Sequence, residues 1–246
     1  MENKSYSLYK PENPIVSEAY SMLAGSIYVE AKEKGLKALV VASNEPRVGK
    51  TAVATSIAIT IATWGKRTVL IDADMRKPID RKQNNLGSAC GLYQYLQGII
   101  SLEQVLYPTN VENLKYIPNG RVTTNPMGLL CSEGLEKLFN KASECFDYIV
   151  IDTPALGSVS DAAIISSKAD AVLLVAKMGA TRLDVIKKAK EQLEKNNSNI
   201  LGVVVNEVAK KTYKKYFESY KYFHNLNKKA IKDKETNRKA VIKLTS

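Results

Sequence analysis

The chain has 246 residues, 45% of them hydrophobic, which is enough for one sizeable core and short for two, so one domain with a tail is expected. The opening MENKSYSLYK has no apolar signal region, the uncharged apolar run at 52–64 is too short to cross ~30 Å of hydrocarbon, and Cys90, Cys131 and Cys145 lack paired metal-ligand spacing. These features predict an unexported, cytoplasmic chain without a disulfide or metal framework. The net charge of +11 is unevenly spread: residues 209–246 hold twelve Lys or Arg against three acids, a net +9, and leave +2 on the first 208. A nearly neutral body disfavours nucleic acid as a partner, and the basicity belongs to the tail.

In chain order, residues 15–34 read as an amphipathic helix. A short apolar run at 38–42 reads as a strand buried on both faces and leads through Ser43–Thr51 into an apolar helix over 50–64. A second strand at 68–71 runs into Asp72-Ala73-Asp74-Met75-Arg76-Lys77-Pro78. Residues 128–146 are patterned as one helical segment, followed by a strand at 148–151 that ends in Asp152-Thr153-Pro154. Helical patterning at 160–168 and 181–196 alternates with strands at 171–175 and 201–205, the last ending at Asn206. Strands and helices alternating in this way predict an α/β fold, a mainly parallel sheet with helices on both faces. The expected division is a domain over 1–208, including the N-terminal helix, and a Lys-rich tail over 209–246 that is poor material for a core.

The segment Ser43-Asn44-Glu45-Pro46-Arg47-Val48-Gly49-Lys50-Thr51 lies where a phosphate-binding loop belongs, between a strand and a helix. In such a loop backbone N–H groups and the helix N-terminus face the phosphates of ATP, Lys50 reaches the β and γ oxygens, and the Thr51 hydroxyl ligates Mg²⁺. Asn44, Arg47, Val48, Gly49, Lys50, Thr51 and Ala52 are therefore the candidate nucleotide-binding residues. Two of them depart from the usual pattern, Asn44 and Arg47 standing where glycine is common. Arg47 has two readings: backbone strain of about 1–2 kcal/mol if its φ is positive, or a guanidinium that contacts a phosphate. The carboxylates Asp72, Asp74 and Asp152 end parallel strands and should point into the crevice where ligands bind in such folds, although any one of them alone reads equally as a loop cap.

With these motifs in place the chain resembles the bacterial protein-tyrosine kinases, within the P-loop partitioning-ATPase superfamily. Their catalytic domain carries a Walker A loop, an apolar run then D-x-D-x-R, and an apolar run then D-x-x-P. The resemblance extends over about residues 15–208, to Gly91-Leu92, Leu96-Gln97-Gly98, Asn125-Pro126, Leu129-Leu130, Asp161 and Gly202–Asn206. It implies an ATP- and Mg²⁺-dependent tyrosine kinase in which Lys50 holds the phosphates, Thr51, Asp72 and Asp152 organise Mg²⁺, and Asp74 orients the acceptor hydroxyl. Arg76 stabilises the transferring phosphoryl group or forms a salt bridge to one of these acids, and Asn206 contacts adenine. The family also implies capsule or exopolysaccharide synthesis with a separate transmembrane activator of the polysaccharide co-polymerase type, a tyrosine phosphatase, and a peripheral place at the inner membrane face. Self-association is left open, because the leading helix keeps Glu18 but lacks the two arginines of the family's ring-forming E-x-x-R-x-x-R motif.

The tail holds Tyr213, Tyr216, Tyr220 and Tyr222. Tyr213, Tyr216 and Tyr220 have the spacing of one helix face, whereas the resemblance makes all four phosphoacceptors. The tail lysines also suit an anionic membrane surface. Two other readings stand beside the kinase: a partitioning-type ATPase, which usually has an extra lysine early in the loop where this chain has Asn44-Glu45-Pro46, and a weakly active regulatory homologue that binds nucleotide.

Overall fold

The computed structural model describes residues 5–9, 11–78 and 90–216. They form two compact units, the larger over 5–9, 20–78 and 90–207, the smaller over 11–19 and 208–216. In the larger unit the predicted strands are all present: β1 (Ala38–Ala42), β2 (Thr68–Asp72), β5 (Tyr148–Asp152), β6 (Ala171–Lys177) and β7 (Ile200–Asn206). Two short strands that periodicity did not disclose, β3 (Tyr107–Pro108) and β4 (Leu114–Ile117), complete a seven-stranded sheet of order β3-β4-β2-β5-β1-β6-β7. Only the β3–β4 pair is antiparallel. Four residues of β4 and a proline-containing edge pair are too few to show alternation, which explains the omission.

The sheet buries both faces because successive side chains point opposite ways. Val40, Ala42, Ile71, Ile149, Ile151 and Leu174 pack on one side with the helices α6 (Glu133–Cys145), α7 (Asp161–Lys168) and α8 (Leu183–Lys195). Leu39, Val41, Leu70, Val150 and Val175 pack on the other with α2 (Lys50–Thr63) and the later turns of α1 (Pro14–Lys34), through Ala24, Ile27 and Ala31. Burial on two faces is why these strands read as continuous apolar runs. The segment predicted as one helix over 128–146 is two, α5 (Met127–Leu130) and α6, and the break is chemical. Ser132 caps α6, its Oγ accepting from Gly134 N at 3.2 Å while donating to Leu129 O at 2.6 Å. Two further short helices, α3 (Leu92–Leu96) and α4 (Leu102–Val105), precede β3.

Residues 5–9 lie along the outer strand. Tyr6 N donates to Pro108 O at 2.9 Å, the Tyr6 ring stacks on Tyr116 with centroids 3.8 Å apart, and the Asn110 amide grips both backbone groups of Leu8. In the smaller unit α9 (Lys210–Tyr216) carries Tyr213 and Tyr216, while Tyr220 and Tyr222 lie outside the described residues. No helix among the described residues is long and apolar enough to cross a membrane.

Between β1 and α2 the chain turns through Arg47 at φ 60° and Gly49 at φ 89°. At Gly49 a β-carbon would also overlap the Asn206 side-chain amide, so glycine serves both backbone and space there. Arg47 adopts a left-handed backbone with a β-carbon, and its exposed guanidinium has no ion pair or hydrogen bond among the described residues. The positive φ that the strained reading requires is present. Arg47→Gly is expected to stabilise the fold by about 1 kcal/mol, the left-handed strain less part of glycine's greater chain entropy. Thermal unfolding checks this, and a variant that melts below the parent would refute it.

Candidate active site

Parallel register assembles the site. Asp72 and Asp152 are partners on the adjacent strands β2 and β5, and Asp152 is also level with Val41 on β1, one residue before that strand ends. The acidic ends of two strands and the phosphate-loop end of a third therefore open at the same edge of the sheet, where ligands bind in open α/β folds. The loop after β5 closes onto the phosphate loop. Leu156 N donates to Ser43 O at 2.8 Å and Gly157 N to Asn44 O at 2.9 Å, and a β-carbon on Gly157 would press on the Asn44 backbone. Asn206 reaches across from β7, its Nδ2 donating to Val48 O at 2.9 Å. It thereby props the loop through a backbone carbonyl, a contact the sequence reading did not anticipate.

Lys50 and Thr51 open α2. Lys50 is buried, and burial lowers its pKa against the opposing pull of Asp152 and Asp74. Thr51 Oγ1 donates to Asp152 Oδ2 at 2.5 Å. The other oxygen of Asp152, Oδ1, is buried with no hydrogen-bond partner, although the side chain is only 4% exposed. Such an oxygen needs a cation or a donor. Burial raises the Asp152 pKa, opposed by Lys77 and by the Thr51 hydrogen bond. Asp72 is pushed up to about 7, chiefly by burial, with Lys77 pulling it down and Asp152 pushing it further up. Asp74 stands half-buried next to them, its N–H donating to Asp72 Oδ1 at 3.0 Å.

The central group of this cluster is Lys77. Its Nζ lies 3.6 Å from Asp74 Oδ2, 3.8 Å from Asp72 Oδ1 and 3.9 Å from Asp152 Oδ2. Burial works against its charge, but Asp72, Asp152 and Asp74 together raise its pKa. Lys77 directly follows the D-x-D-x-R run, but nothing in the sequence marks it as more than a loop lysine. Asn119, just beyond β4, was also missed. Buried at 1% exposure, it donates from Nδ2 to Asp74 O and Lys77 O, both at 2.8 Å, and clamps the acidic loop.

Arg76 forms a salt bridge, but to Asp161 rather than to Asp72, Asp74 or Asp152. Nε and Nη2 meet the carboxylate of Asp161 at 2.7 and 2.9 Å, and Nη1 donates to Thr124 O at 3.0 Å. Asp161 is 1% exposed, so the guanidinium answers a buried charge at the start of α7 and ties the acidic loop to it. Ala52 is exposed on the first turn of α2, and Asn44 is half-buried at the start of the loop. Tyr213 and Tyr216 belong to the smaller unit.

The residues suit a nucleotide with Mg²⁺. A glycine-bent loop and a 14-residue helix present N–H groups and a lysine to phosphates, and Thr51, Asp72 and Asp152 are hard oxygen donors for a divalent ion. Among the described residues no three His, Cys, Asp or Glu side chains form a complete cage. That is the usual arrangement for Mg²⁺, which keeps waters and takes ligands from the phosphates.

Residues 36–201 match the model of the AAA domain family. A tyrosine-protein kinase, CpsD, from Streptococcus agalactiae is 37% identical over 192 residues, covering 78% of this chain and 83% of that one. The tyrosine-protein kinase YwqD of Bacillus subtilis is 31% identical over 206 residues, covering 84% and 86%. Among solved structures, the kinase domain of the Escherichia coli tyrosine kinase ETK superposes with a TM-score of 0.73 at 28% identity, covering 78% and 77%. With a relative this similar over most of both lengths, and with the loop and the two acidic strand ends assembled at one edge of the sheet, the chain belongs to the bacterial tyrosine-protein kinases built on a P-loop domain.

Proposed function

We propose that the chain transfers the γ-phosphoryl group of ATP to tyrosine hydroxyls, those of its own C-terminal segment among them, and acts in capsule or exopolysaccharide synthesis with a transmembrane activator and an opposing phosphatase. The observation that carries this reading is the unpartnered, buried Asp152 Oδ1 beside the Thr51 hydroxyl at the foot of the phosphate loop. Two hard donors held together there match a metal–phosphate ligand better than any structural need of the fold. The names of the relatives supply the tyrosine acceptor and the capsule context.

Lys50 and the N–H groups at the start of α2 hold the phosphates, and Thr51, Asp152 and Asp72 are the residues to hold Mg²⁺. When bound, that ion neutralises charge on the phosphates. Asp74, the most open of the three acids at 20% side-chain exposure, accepts the hydrogen bond of an incoming tyrosine hydroxyl and orients it in line. A phenol with pKa near 10 loses its proton late, so positioning does more here than proton abstraction. Arg76 acts at one remove, fixing the acidic loop through Asp161. The larger unit carries this chemistry, and the basic tail over 209–246 supplies the acceptors Tyr213, Tyr216, Tyr220 and Tyr222. Each phosphate brings about −1.5 to −2 charges, so four would largely cancel the tail's positive charge and release it from an anionic membrane surface.

Lys50→Ala and Asp152→Asn are each expected to lower phosphotyrosine formation by about a hundredfold or more while leaving the melting temperature near that of the parent. Anti-phosphotyrosine detection with radiolabelled ATP checks this, and free phosphate released without labelled tyrosine would favour the partitioning-type ATPase instead. Changing Tyr213, Tyr216, Tyr220 and Tyr222 together to Phe removes only hydroxyls. Phosphotyrosine on the chain itself should fall to a small remnant by mass spectrometry, and an undiminished amount would move the acceptor elsewhere.

A further inference from the structure

Three carboxylates that converge at a buried strand edge repel one another, and in this structure a single side chain balances them. Lys77 Nζ stands between 3.6 and 3.9 Å from one oxygen each of Asp72, Asp74 and Asp152, nearly equidistant from all three. A group serving one ion pair would close on one partner at 2.7 to 2.9 Å, as Arg76 does with Asp161. The central position is instead that of a cation shared among ligands. The Lys77 backbone is fixed, its carbonyl held by the buried Asn119 at 2.8 Å. The side chain is 42% exposed and free to pivot towards solvent about that fixed point. A clamped backbone under a half-exposed flexible arm lets the ammonium leave without disturbing the loop that carries Asp72 and Asp74.

We propose that Lys77 is the resident cation of the metal-free site: from its place among Asp72, Asp74 and Asp152 its ammonium occupies the Asp72 and Asp152 oxygens that a divalent ion takes, and it swings out when the ion enters. The inference rests on the reading that Asp72 and Asp152 hold Mg²⁺. It adds that the bare protein resists Mg²⁺ because the ion must displace a charge already in place. Saturating Mg²⁺ drives the exchange by itself, and a ligand that brings its own phosphate oxygens lowers the Mg²⁺ concentration at which it occurs. Lys50 sits beside the same carboxylates but opens α2 and is buried, so it is not the arm that leaves.

The test uses the full chain without nucleotide, with Mg²⁺ alone as the probe. Wild-type protein is treated briefly with an amine-acylating reagent and the modification of each lysine is read by mass spectrometry. Lys77 should react slowly without metal and severalfold faster with saturating Mg²⁺, while the exposed Lys190 stays constant as a reference. In parallel, Mg²⁺ is titrated against melting temperature. Lys77→Met should melt lower than wild type without metal and bind Mg²⁺ roughly tenfold more tightly, the order expected on removing one partly exposed competing cation, whereas Lys77→Arg should remain within about threefold of wild type. If Mg²⁺ raises the melting temperature but leaves Lys77 labelling unchanged or slower, the displacement is refuted and the metal site stands. If Mg²⁺ shifts the melting temperature of neither wild type nor Lys77→Met, the metal site fails and the inference with it. The labelling needs only wild-type protein, so it decides the matter even if Lys77→Met does not fold.

Discussion

Like charges held side by side in a place with little water are the constraint around which this site is organised. Parallel register sets Asp72 against Asp152, and each carboxyl is pushed above the ordinary carboxylate range by the same burial that aligns them. Such a pair persists only where something compensates it. The compensation here is layered: a hydroxyl from Thr51, an ammonium from Lys77, and an oxygen on Asp152 left open to a ligand. The instability is local and the rest of the sheet absorbs it, with apolar residues on both faces of every central strand.

Holding that arrangement requires rigidity around it, and the surrounding polar contacts supply it. Asn119 fastens the acidic loop from below, Arg76 fastens it sideways to Asp161, and Asn206 fastens the phosphate loop from β7. Each contact joins segments far apart in the chain. The catalytic face is therefore a product of the tertiary fold more than of any one motif. Arg76, named with the reacting groups on motif grounds, spends Nε and Nη2 on the buried carboxylate of Asp161.

Much of this was legible beforehand, for reasons that differ by element. Strands β1, β2, β5 and β6 announce themselves because burial on two faces leaves little but Val, Ile and Leu, and the phosphate loop because few chains bend and charge themselves as Val48-Gly49-Lys50-Thr51 does; β7 has the same composition, yet it is an edge strand with Val203 and Val205 exposed rather than buried on both faces. The bend at Ser132 was hidden by a helical pattern that continues on either side of it, and a capping hydroxyl changes direction without changing hydrophobic phase. Strands β3 and β4 were hidden by their brevity. Lys77 and Asn119 were hidden because their importance is purely spatial: an ordinary lysine in an exposed-looking loop and an asparagine after a strand become central only when β2, β4 and β5 lie together. Motifs report the residues that touch ligands more readily than those that hold them in place.

The segment over residues 5–9 has a bearing on how the molecule is made. Its hydrogen bonds to the neighbourhood of β3 join residues 102 positions apart, so this segment waits for a partner that is synthesised much later. Until then the outer edge of the sheet is bare, with Pro108 and a strand of two residues as its only protection against pairing with another chain. Once Tyr6 stacks on Tyr116 and Leu8 is seated, that edge is closed by a distant segment of the same chain. Residues 5–9 thus work as a late-arriving latch, and anything that delays their docking lengthens the interval in which a half-finished sheet stands open.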